Sequence, residues 1–469
     1  MSDTAKSLVI VGQGAAGLSA ALYAAEAARE RGERVRITLL EKAGEEEAGG
    51  NTRWSPSYMR MAAPDRVEPT FVDDMLAATG GRGDRAYFAR LAAEAPATAA
   101  WIAGHGVEFH RPVYYLAKGP PRIQPVGGGP AIVRALVHAA RSAGVELHYE
   151  CSARRLVRGN RGDIRGIHVV QGSGAPETMH ADAVILAAGG FQGDGVMMRE
   201  HFGAGAESMP LISPGTRFNT GDGIRMAVEI GAAMSGEWSG MHSEPIDPRA
   251  KNSAPVVLVY PYGIVVDRNG RRIFDEGGGL VHETWEKFSR DIHFATPGRE
   301  VYAILDSRLF AIQSYQRAIR SEVPPAQADT LDDLAKQIGV DAANLTATVA
   351  AYNAAATGDP ARFDATVCDG LAAARTLHPP KSNWARAITE PPFVAYPLIG
   401  AVAYTFGGIA TNERAEVLGS SGDAPIPGLY AAGEITGHFY GTAPNAVSVL
   451  RAFVFGRIAG REAVSYFGR

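Results

Sequence analysis

The N-terminal part of the chain alternates short apolar runs with a helical pattern. Residues 8–11 form an apolar run that predicts a buried strand, and an alanine-rich segment that ends near Gly32 predicts a helix. A second apolar run, residues 35–40, ends at Glu41. A strand, a glycine-rich turn, a helix and a second strand in this order predict a parallel βαβ unit.

Glycines occupy the turn between the first strand and the first helix. Gly12, Gly14 and Gly17 follow the spacing G-x-G-x-x-G, which permits a tight turn, a close approach of backbone to a pyrophosphate and close helix–strand packing. The helix N-terminus favours phosphate charge, and Glu41 has the place of an acid that binds ribose hydroxyls. A tight turn alone also explains a glycine triplet, but the full order of elements favours a dinucleotide.

Two later apolar runs also end in glycines. They lie within residues 180–191 and 425–437, and a helix is expected to follow the second from about Asn445. Residues 49–52 ("GGNT") follow the loop after Glu41. Each feature alone is common in α/β folds. Three glycine-tipped strand ends that converge on one ligand favour a long cofactor, FAD, over a nicotinamide cofactor.

Bulk composition restricts the classes of function. The 469 residues, 46% hydrophobic and 20% charged, are typical of a soluble globular protein with two or three domains. Lysine and arginine number 46 and aspartate and glutamate 50, and this balance of −4 gives no reason to expect nucleic-acid binding. Cys151 and Cys368 are too few for a cysteine-ligated cluster or zinc site, so no metal is expected.

Two features of the sequence indicate where in the cell the protein is expected. The first strand pattern begins by residue 8, so we do not expect a signal peptide. No apolar run reaches the roughly 18 residues of a membrane span. We therefore expect a cytoplasmic protein without a transmembrane segment.

Eight segments together resemble one flavoprotein family. They are "VIVGQGAAGLSAA", "GGNTRWSPSYMRM", "PGTRFNTGDGIRMAVEIGA", "GIVVDRNGRRIFDEG", "TVAAYNAAA", "TFGGIATNERAEVL", "GLYAAGEITG" and "SVLRAFVFGRIAG". Their order resembles the FAD-dependent fumarate reductase and succinate dehydrogenase flavoproteins, and among these most closely the soluble FAD-dependent dehydrogenases similar to tricarballylate dehydrogenase. The resemblance implies FAD as cofactor, a small-molecule substrate and an external electron acceptor.

The resemblance also implies a two-lobe fold of the α/β class. The expected plan is a Rossmann-like FAD-binding domain of the glutathione-reductase type with an inserted α+β cap domain. Residues 1–240 and 395–469 would form the FAD-binding domain, and residues 241–394 the substrate cap. Composition agrees, because the first part alternates strands and helices whereas the middle part is more mixed.

The family motifs supply the expected cofactor-binding residues. The start of the last helix, residues 445–450, would point backbone N–H groups at the flavin and favour the negative charge of the reduced ring. The full expected set is Gly12, Gly14, Ala15, Ala16, Gly17, Glu41, Lys42, Gly50, Asn51, Thr52, Trp54, Ser55, Gly128, Gly129, Ala153, Ala188, Gly189, Gly190, Asn219, Thr220, Gly221, Asp222, Gly433, Glu434, Ser448, Val449 and Leu450.

Some members of this set have simpler interpretations. Residues 127–129 also fit a plain flexible turn, Asp222 also fits a helix N-cap, and Glu434 also fits an exposed loop carboxylate. In covalent members of the family a histidine of the loop after Gly50 attaches to the flavin. This loop has no histidine, so non-covalent FAD is expected.

The substrate side departs from the family at three places. Relatives that reduce fumarate use a cap arginine as proton donor, and its place falls at Leu280 in "RRIFDEGGGLVHE". A histidine that holds substrate carboxylate in those enzymes aligns with Tyr404, and their loop arginine has no counterpart in "GHFYGTAPN". We therefore do not expect fumarate or succinate chemistry.

Several side chains near the expected flavin are candidates for catalysis. Tyr440 is the first choice for polarising or deprotonating substrate, because its loop resembles that of 3-ketosteroid dehydrogenases, although a tyrosine base needs a pKa below its ordinary value of about 10. His242 matches a family histidine beside the substrate carboxylate. Arg217 would pair with a carboxylate, and Tyr404 and His438 are near by motif. Each also fits a packed or hydrogen-bonded structural role, as do the possible pocket residues His105, His110, Tyr114 and Tyr115.

The leading hypothesis is an FAD-dependent dehydrogenase that makes a carbon–carbon double bond next to a carboxylate or carbonyl by hydride transfer to flavin N5. The substrate would be a carboxylate or an enone precursor. A single arginine candidate, Arg217, makes three carboxylates hard to neutralise. The alternatives are an ene-reductase of the fumarate reductase type, a 3-ketosteroid-dehydrogenase-like activity and a non-catalytic flavin-binding subunit.

Overall fold

A computed structural model describes residues 5–113, 118–421 and 424–468; Tyr114 and Tyr115 lie outside these ranges. The first part of the chain alternates strands and helices as predicted. Its elements are β1 (Lys6–Val11), α1 (Ala15–Arg31), β2 (Val35–Leu40), α2 (Gly50–Trp54), α3 (Phe71–Ala78), α4 (Arg85–Gly104), β3 (Phe109–His110), β4 (Gln124–Pro125), α5 (Gly128–Ser142), β5 (Glu146–His148), β6 (Cys151–Arg158), β7 (Ile164–Gln171), β8 (Glu177–His180), β9 (Ala183–Leu186), α6 (Gly195–Phe202), α7 (Asp222–Glu229) and β10 (Met234–Ser235).

The middle and final parts complete the two lobes. The middle part holds β11 (Met241–Ile246), β12 (Ile264–Val266), α8 (Val281–Ala295), β13 (Val301–Leu305), β14 (Ala326–Ala328), α9 (Leu331–Ile338), α10 (Ala342–Ala355) and β15 (Phe393–Thr405). The final part holds β16 (Gly408–Ile409), β17 (Glu416–Leu418), β18 (Pro425–Ala431) and α11 (Ser448–Phe467).

A six-stranded sheet in the order β17-β18-β9-β1-β2-β5 forms the centre of the first lobe. All its neighbours pair in parallel except β17, which pairs antiparallel with β18. The register aligns Val11 with Leu40 and with Leu186, and Leu186 with Ala431. Four strands from distant parts of the sequence therefore end at one edge, as a doubly wound nucleotide-binding sheet requires.

Helices α1 and α11 cover one face of this sheet and pack closely on each other. Gly456 and Gly460 of α11 make this approach possible, because a Cβ at either position would overlap a backbone oxygen of α1, that of Ala16 or that of Ala20. Helix α1 ends as predicted, at Gly32 with a left-handed φ of 67°.

The cap contains a second, antiparallel sheet in the order β11-β15-β13-β12, with β14 also pairing with β15. Strand β15 extends across the expected domain boundary at residue 395, so it joins the cap to the last part of the FAD-binding lobe. The β-like run after residue 255 is less regular than its sequence suggests. A 3-10 turn at Tyr260–Tyr262 interrupts it, and only Ile264–Val266 pair as a named strand there.

Helix α11 begins three residues later than the expected start at Asn445. Ala446 has a positive φ of 58°, and its carbonyl accepts a hydrogen bond from the Arg60 backbone N–H at 2.8 Å. The segment before Ser448 is therefore a fixed turn and not a first helical turn.

Neither a helix suited to span a bilayer nor a cluster suited to hold a metal ion occurs among the described residues. None of the helices among them has the length and apolar character to cross a bilayer. Within the same ranges, no group of three or more His, Cys, Asp or Glu side chains is arranged to hold a metal ion.

Gly456→Ala should destabilise the protein by about 1–3 kcal/mol, because the added methyl group overpacks the contact with α1. Gly104→Ala is the matched control, since Gly104 also lies in a helix but a Cβ there meets nothing within 4 Å. The control should be neutral or more stable by up to about 1 kcal/mol. Urea unfolding measures both, and equal effects would contradict this account of the α1–α11 contact.

Candidate functional site

One long cavity, with about 1930 Å³ of empty space including its opening, lies at the carboxyl ends of β1, β2, β9 and β18. Its lining runs from the glycine-rich turn to residues of the cap sheet and α8. We call the part around Gly12, Gly14 and Glu41 the dinucleotide end. The cap end is the part lined by Tyr58, Arg122, His242, Glu244, His282, Trp285 and Arg320.

The three glycines of the turn, Gly12, Gly14 and Gly17, differ in what a side chain at each position would meet. Gly12 has φ 103°, and a Cβ there would overlap the Ala187 carbonyl, while a Cβ at Gly17 would overlap the Gly12 carbonyl. A Cβ at Gly14 would meet nothing nearer than Thr52 Oγ1 at 3.7 Å. The protein itself therefore leaves open space at Gly14, which is the position where a pyrophosphate needs close backbone approach.

The acid at the end of β2 is fixed in the cavity wall. Glu41 Oε2 accepts a hydrogen bond from the Gln13 N–H at 2.9 Å, and Oε1 accepts one from the Ala43 N–H at 2.8 Å. Burial raises the pKa of Glu41 above its ordinary value, against these two hydrogen bonds and the charge of Lys42. Each carboxylate oxygen keeps acceptor capacity for the hydroxyls of a ribose.

Lys42 and Asp222 form a second fixed polar pair at this end. Lys42 Nζ donates to Thr220 Oγ1 at 2.6 Å and to Asp222 Oδ2 at 2.9 Å. Burial alone would raise the pKa of Asp222, but the hydrogen bond and charge of Lys42 lower it below its ordinary value. Asp222 is the first residue of α7 and Gly221 holds the N-cap position, so the N-cap interpretation of Asp222 is wrong.

The loop after Gly50 forms helix α2 and is tied to both lobes. Thr52 Oγ1 accepts a hydrogen bond from the Ala15 N–H at 3.0 Å at the start of α1. Asn51 Nδ2 donates to the Ala403 carbonyl at 2.9 Å, and Asn51 Oδ1 accepts from Thr216 Oγ1 at 3.0 Å. These bonds hold the loop against the cavity, which Asn51 and Thr52 both line.

Glu434 lies between the β18 end and the cap sheet, where it is partly exposed to the cavity. Its Oε1 accepts from the Thr405 N–H at 3.2 Å, and its Oε2 accepts from Asn219 Nδ2 at 3.3 Å. Burial raises the pKa of Glu434 to about 7, although the hydrogen bond from Thr405 and the charge of Arg451 act in the opposite direction. An exposed loop carboxylate, the simpler interpretation, is therefore wrong.

Most of the expected cofactor residues line the cavity. These are Gly12, Gly14, Ala15, Ala16, Glu41, Lys42, Gly50, Asn51, Thr52, Trp54, Ser55, Ala153, Ala188, Gly189, Asn219, Asp222, Gly433, Glu434, Ser448 and Val449.

The other expected cofactor residues lie behind the lining. Gly17 and Gly129 pack against backbone, Gly190 packs against Glu434 and Thr405, and Thr220 holds Lys42. The complete set outside the lining is Gly17, Gly128, Gly129, Gly190, Thr220, Gly221 and Leu450.

Several lining residues carry a buried polar atom that has no hydrogen-bond partner among the described residues, and two of these atoms are amide oxygens. Gln13 Oε1 and Asn445 Oδ1 have no hydrogen-bond partner among the described residues. Such atoms are costly when buried and are ordinarily satisfied. Together with the open space at Gly14, they agree with a dinucleotide as the group that completes this cavity.

At the cap end, His242 lies between two carboxylates. Its Nε2 is 3.0 Å from Glu244 Oε1, and its Nδ1 forms a very short contact with Glu286 Oε1. Burial alone would lower the pKa of His242, but the charge of Glu286 and the hydrogen bonds to both carboxylates raise it to about 10. His242 is therefore an imidazolium at neutral pH that donates both N–H groups to glutamates.

Tyr404 also reaches the cavity, where it stacks on His242 with ring centroids 4.7 Å apart. Burial, and then the charge of Glu286, raise the pKa of Tyr404 far above its ordinary value of 10.0. A deprotonated Tyr404 is therefore disfavoured, so it suits a hydrogen-bonding role rather than that of a base.

Two arginines from different lobes meet at the cap end. The Arg122 guanidinium carbon lies 3.9 Å from the centre of the Tyr58 ring, and that of Arg320 lies 5.8 Å from the same ring. Glu244 is close enough to both for their charges to lower its pKa, in addition to the larger effect of His242 and against its burial.

His282 is a further cap-end residue, in the first turn of α8. Burial, and then the charges of Arg122 and Arg60, lower the pKa of His282 below 6.5 against the opposing effect of Glu283. His282 is therefore a neutral imidazole at neutral pH, unlike His242.

The sequence analysis did not identify several of these residues. Arg122 and Arg320 belong to none of the family motifs, so nothing in their local sequence distinguishes them. A signal did exist in α8, where His282, Trp285 and Glu286 recur at helical spacing and so share one face of the helix. The residues missed at the cap end are Tyr58, Arg122, Glu244, His282, Trp285 and Arg320.

The structure does not bring two expected catalytic residues to the cavity. The Tyr440 hydroxyl accepts a hydrogen bond from the Gly236 N–H at 3.2 Å, and the Arg82 guanidinium carbon lies 5.0 Å from the centre of its ring. Arg217 forms an exposed ion pair with Glu47. Both residues were predicted from local sequence, Tyr440 from the resemblance of its loop and Arg217 from its charge. In the structure, the contacts of both side chains hold them away from the cavity.

Other histidines considered from the sequence lie away from the lining. His438 is stacked on Tyr87 at 3.6 Å, and burial together with the charge of Arg451 lowers its pKa to about 3. His105 pairs with Glu26 at 3.1 Å, and His110 is exposed in β3.

A glycine-lined dinucleotide cavity at the ends of parallel strands, continuous with a charged cap end, defines an FAD-dependent oxidoreductase. Residues 7–448 match the family described as FAD binding domain. The chain belongs to this family, which includes the fumarate reductase flavoproteins, and the Rossmann-like fold with an inserted cap is the one expected.

Specific relatives agree with this assignment. The chain is 30% identical to NADH:acrylate oxidoreductase of Vibrio harveyi over 77% of its own length and 35% of the relative's. It is 28% identical to the cytochrome-type fumarate reductase of Shewanella frigidimarina, over 98% of this chain and 77% of the relative. The open conformation of a flavocytochrome c3 fumarate reductase is a similar structure, with a TM-score of 0.78 and 25% identity over 99% of this chain and 79% of that one.

The protonated Glu434 gives a stability that depends on pH. Because its pKa is raised to about 7 from an ordinary value of 4.5, its contribution is fully present below about 4.5 and is lost as pH rises through about 7. Between pH 5 and pH 8 the apo-protein should lose roughly 2–3 kcal/mol from this group alone.

Glu434→Gln should remove that component from the free energy of unfolding, measured by denaturant titration at both pH values. The exposed Glu413→Gln is the control and should keep the wild-type difference. An unchanged pH dependence in Glu434→Gln would show that Glu434 is not the group responsible.

Proposed function

We propose that the protein catalyses hydride transfer across a carbon–carbon bond next to a carboxylate or carbonyl, with non-covalently bound FAD. The observation that carries the proposal is the continuity of the cavity. The same space is lined by the glycine-rich turn and Glu41 at one end, and by Arg122, Arg320 and His282 of the cap end at the other. A substrate at the cap end would share a continuous space with the cofactor.

The chain provides the other requirements of this chemistry. Bound FAD would supply the two-electron redox chemistry. The cap-end arginines offer a positive field and planar donors suited to a carboxylate or a polarised carbonyl oxygen. Trp285 and Tyr404 line the same space and reduce its contact with water.

His282 is the proposed group that exchanges a proton with the substrate carbon. Both nitrogens of His242 are occupied by carboxylates, and Glu244 is a weak base because His242 and the arginines lower its pKa. The pKa of His282 lies below 6.5, so its neutral ring can accept a proton at pH 7. His282 also lies two residues after Leu280, the place of the proton-donating arginine in fumarate-reducing relatives.

Whether the protein dehydrogenates or reduces its substrate depends on whether a partner accepts electrons from the flavin or supplies them to it. Dehydrogenation, with a separate electron acceptor, is the leading proposal. Reduction of a double bond is the second candidate, because similar proteins are named NADH:acrylate oxidoreductase and fumarate reductase. The departures at Leu280, at Tyr404 and in the loop of residues 437–445 argue against fumarate itself.

Anaerobic stopped-flow absorbance of the FAD-loaded protein tests the proposal. Saturated acids and ketones should bleach the oxidised flavin if the protein is a dehydrogenase. Unsaturated acids and enones should restore the colour of chemically reduced flavin if it is a reductase. A protein that binds FAD tightly but reacts with neither panel would be a non-catalytic flavin subunit, and the proposed function would be wrong.

His282→Asn should slow the reactive half-reaction by about 10²–10⁴-fold, because it removes the proton acceptor while keeping a polar side chain. The wild-type rate of dehydrogenation should fall as pH decreases through a value below 6.5, and the variant should lack this acidic limb. Tyr440→Phe is the control and should retain the wild-type rate, since its hydroxyl contacts Gly236. A slow Tyr440→Phe protein with a normal His282→Asn protein would reverse the assignment.

A further inference from the structure

A buried arginine lies at the start of α11, in the wall of the cavity. Arg451 is the fourth residue of this helix, is 0% exposed and belongs to the residues that line the cavity. A positive side chain in the first turn opposes the helix dipole, whose N-terminal end is also positive. The removal of a charge from water adds a further cost. Helix stability therefore gives no reason for an arginine at this position.

The direct contacts of the Arg451 guanidinium are with uncharged groups. Nη1 donates a hydrogen bond to the Thr436 carbonyl at 3.2 Å, and the guanidinium carbon lies 3.9 Å from the centre of the Phe439 ring. Burial raises the pKa of Tyr87 above its ordinary value, against the nearby charge of Arg451, so Tyr87 is a neutral phenol. Among the described residues, Nε and Nη2 of Arg451 have no hydrogen-bond partner of ordinary geometry.

Two titratable neighbours of Arg451 are also neutral at pH 6. Burial raises the pKa of Glu434 to about 7, against the hydrogen bond from Thr405 and the charge of Arg451. Burial, and then the charge of Arg451, lower the pKa of His438 to about 3. Below pH 7 the guanidinium therefore keeps its charge while Glu434 is mostly protonated, and Glu434 opposes that charge only as it ionises.

The field of Arg451 reaches the lining of the cavity. Burial is the largest cause that raises the pKa of Tyr404 and of Glu434, and the charge of Arg451 acts in the opposite direction on both. Both side chains line the cavity. In a buried wall of this kind, a fixed charge acts strongly on any charge that forms beside it.

The position of Arg451 along the cavity indicates which part of a dinucleotide it acts on. Glu41 and the glycine-rich turn lie at the opposite end, where the ribose and the pyrophosphate are expected. The segment before α11 contacts the cap instead, because the Ala443 N–H donates to Glu286 Oε2 at 3.4 Å. A dinucleotide that extends from Glu41 through the cavity has its redox-active ring at this end.

We propose that Arg451 stabilises the negative charge of the reduced flavin and so raises the reduction potential of bound FAD. The effect is electrostatic and requires no contact between Arg451 and the substrate. The inference rests on the cofactor of the proposed function and not on the identity of the substrate. A higher potential helps the flavin to accept hydride, which is the direction of the leading proposal.

The reduction potential of bound FAD at pH 6, measured by spectroscopic equilibration with a reference dye, tests the inference. Arg451→Gln should lower the potential by at least about 30 mV, which is a tenfold change for a two-electron couple. Arg451→Lys keeps the charge and should restore most of that difference. An unchanged potential in Arg451→Gln, or a potential equally low in Arg451→Lys, would overturn the inference.

Arg457→Gln is the matched control in the same helix. Arg457 is also buried, donates to Thr98 Oγ1 at 2.7 Å and lies 4.4 Å from the centre of the Tyr23 ring, but it does not line the cavity. Its loss should change the redox equilibrium by less than about twofold, because its charge is remote from the ring. A fall equal to that of Arg451→Gln would contradict the inference, since it would trace the effect to loosening of α11.

Sulfite provides a second readout that involves no turnover. Its sulfur lone pair forms a bond to N5 of oxidised flavin, and the displaced electron pair leaves negative charge on the ring. Bleaching of the flavin absorbance should therefore require at least about tenfold more sulfite in Arg451→Gln, and within about twofold of the wild-type concentration in Arg451→Lys and Arg457→Gln. Equal sulfite affinity in all four proteins would contradict the inference.

Arg451→Met is a second neutral variant, and its potential should fall as that of Arg451→Gln does. If neither neutral variant retains FAD, the wild-type protein decides, because a potential at or below that of free FAD would overturn the inference and a higher one would support it. The expected shift without any reaction of the substrate panels would keep the inference and reject the proposed function. Reaction with a substrate but no shift would do the reverse.

Discussion

The parallel register of four strands, β1, β2, β9 and β18, determines where the residues of the cavity lie. Because Val11, Leu40 and Leu186 align, and Leu186 aligns with Ala431, the segments that follow β1, β2, β9 and β18 meet at one edge of the sheet. The glycine turn, Glu41 and the Glu434 segment each begin where one of these strands stops. A slip of one residue in any pairing would reverse the faces of that strand and move its terminal residues out of the cavity.

The two ends of the cavity differ in the charged groups that line them. At the dinucleotide end the charged groups are already paired or hydrogen-bonded, as in Lys42 with Asp222, so this end is prepared to hold a long polar ligand without large rearrangement. At the cap end His242 is hydrogen-bonded to Glu244 and Glu286, and Arg122 and Arg320 bring positive charge to the same space. One end therefore provides shape and hydrogen bonds, and the other provides charge.

The sequence predicted the fold more completely than the substrate site, for a physical reason. Glycine spacing, apolar strand runs and the acid after β2 are local consequences of dinucleotide binding, so they can be read from short segments. The cap end instead joins residues that are far apart in the chain, Arg122 from one lobe and Arg320 from the other. Tyr440 shows the converse, because its loop resembles a catalytic one but its hydroxyl is bonded to Gly236.

The central claim is that one cavity holds FAD and, next to it at the cap end, the carboxylate or carbonyl group of the substrate. A crystal structure of the FAD-loaded protein with a saturated carboxylic acid that bleaches its flavin tests it most directly. The account predicts FAD extending from Glu41 to the start of α11, with the ligand carboxylate between the Arg122 and Arg320 guanidinium groups and the carbon chain against Trp285. A cavity without FAD, or a ligand carboxylate bound away from both arginines, would contradict it.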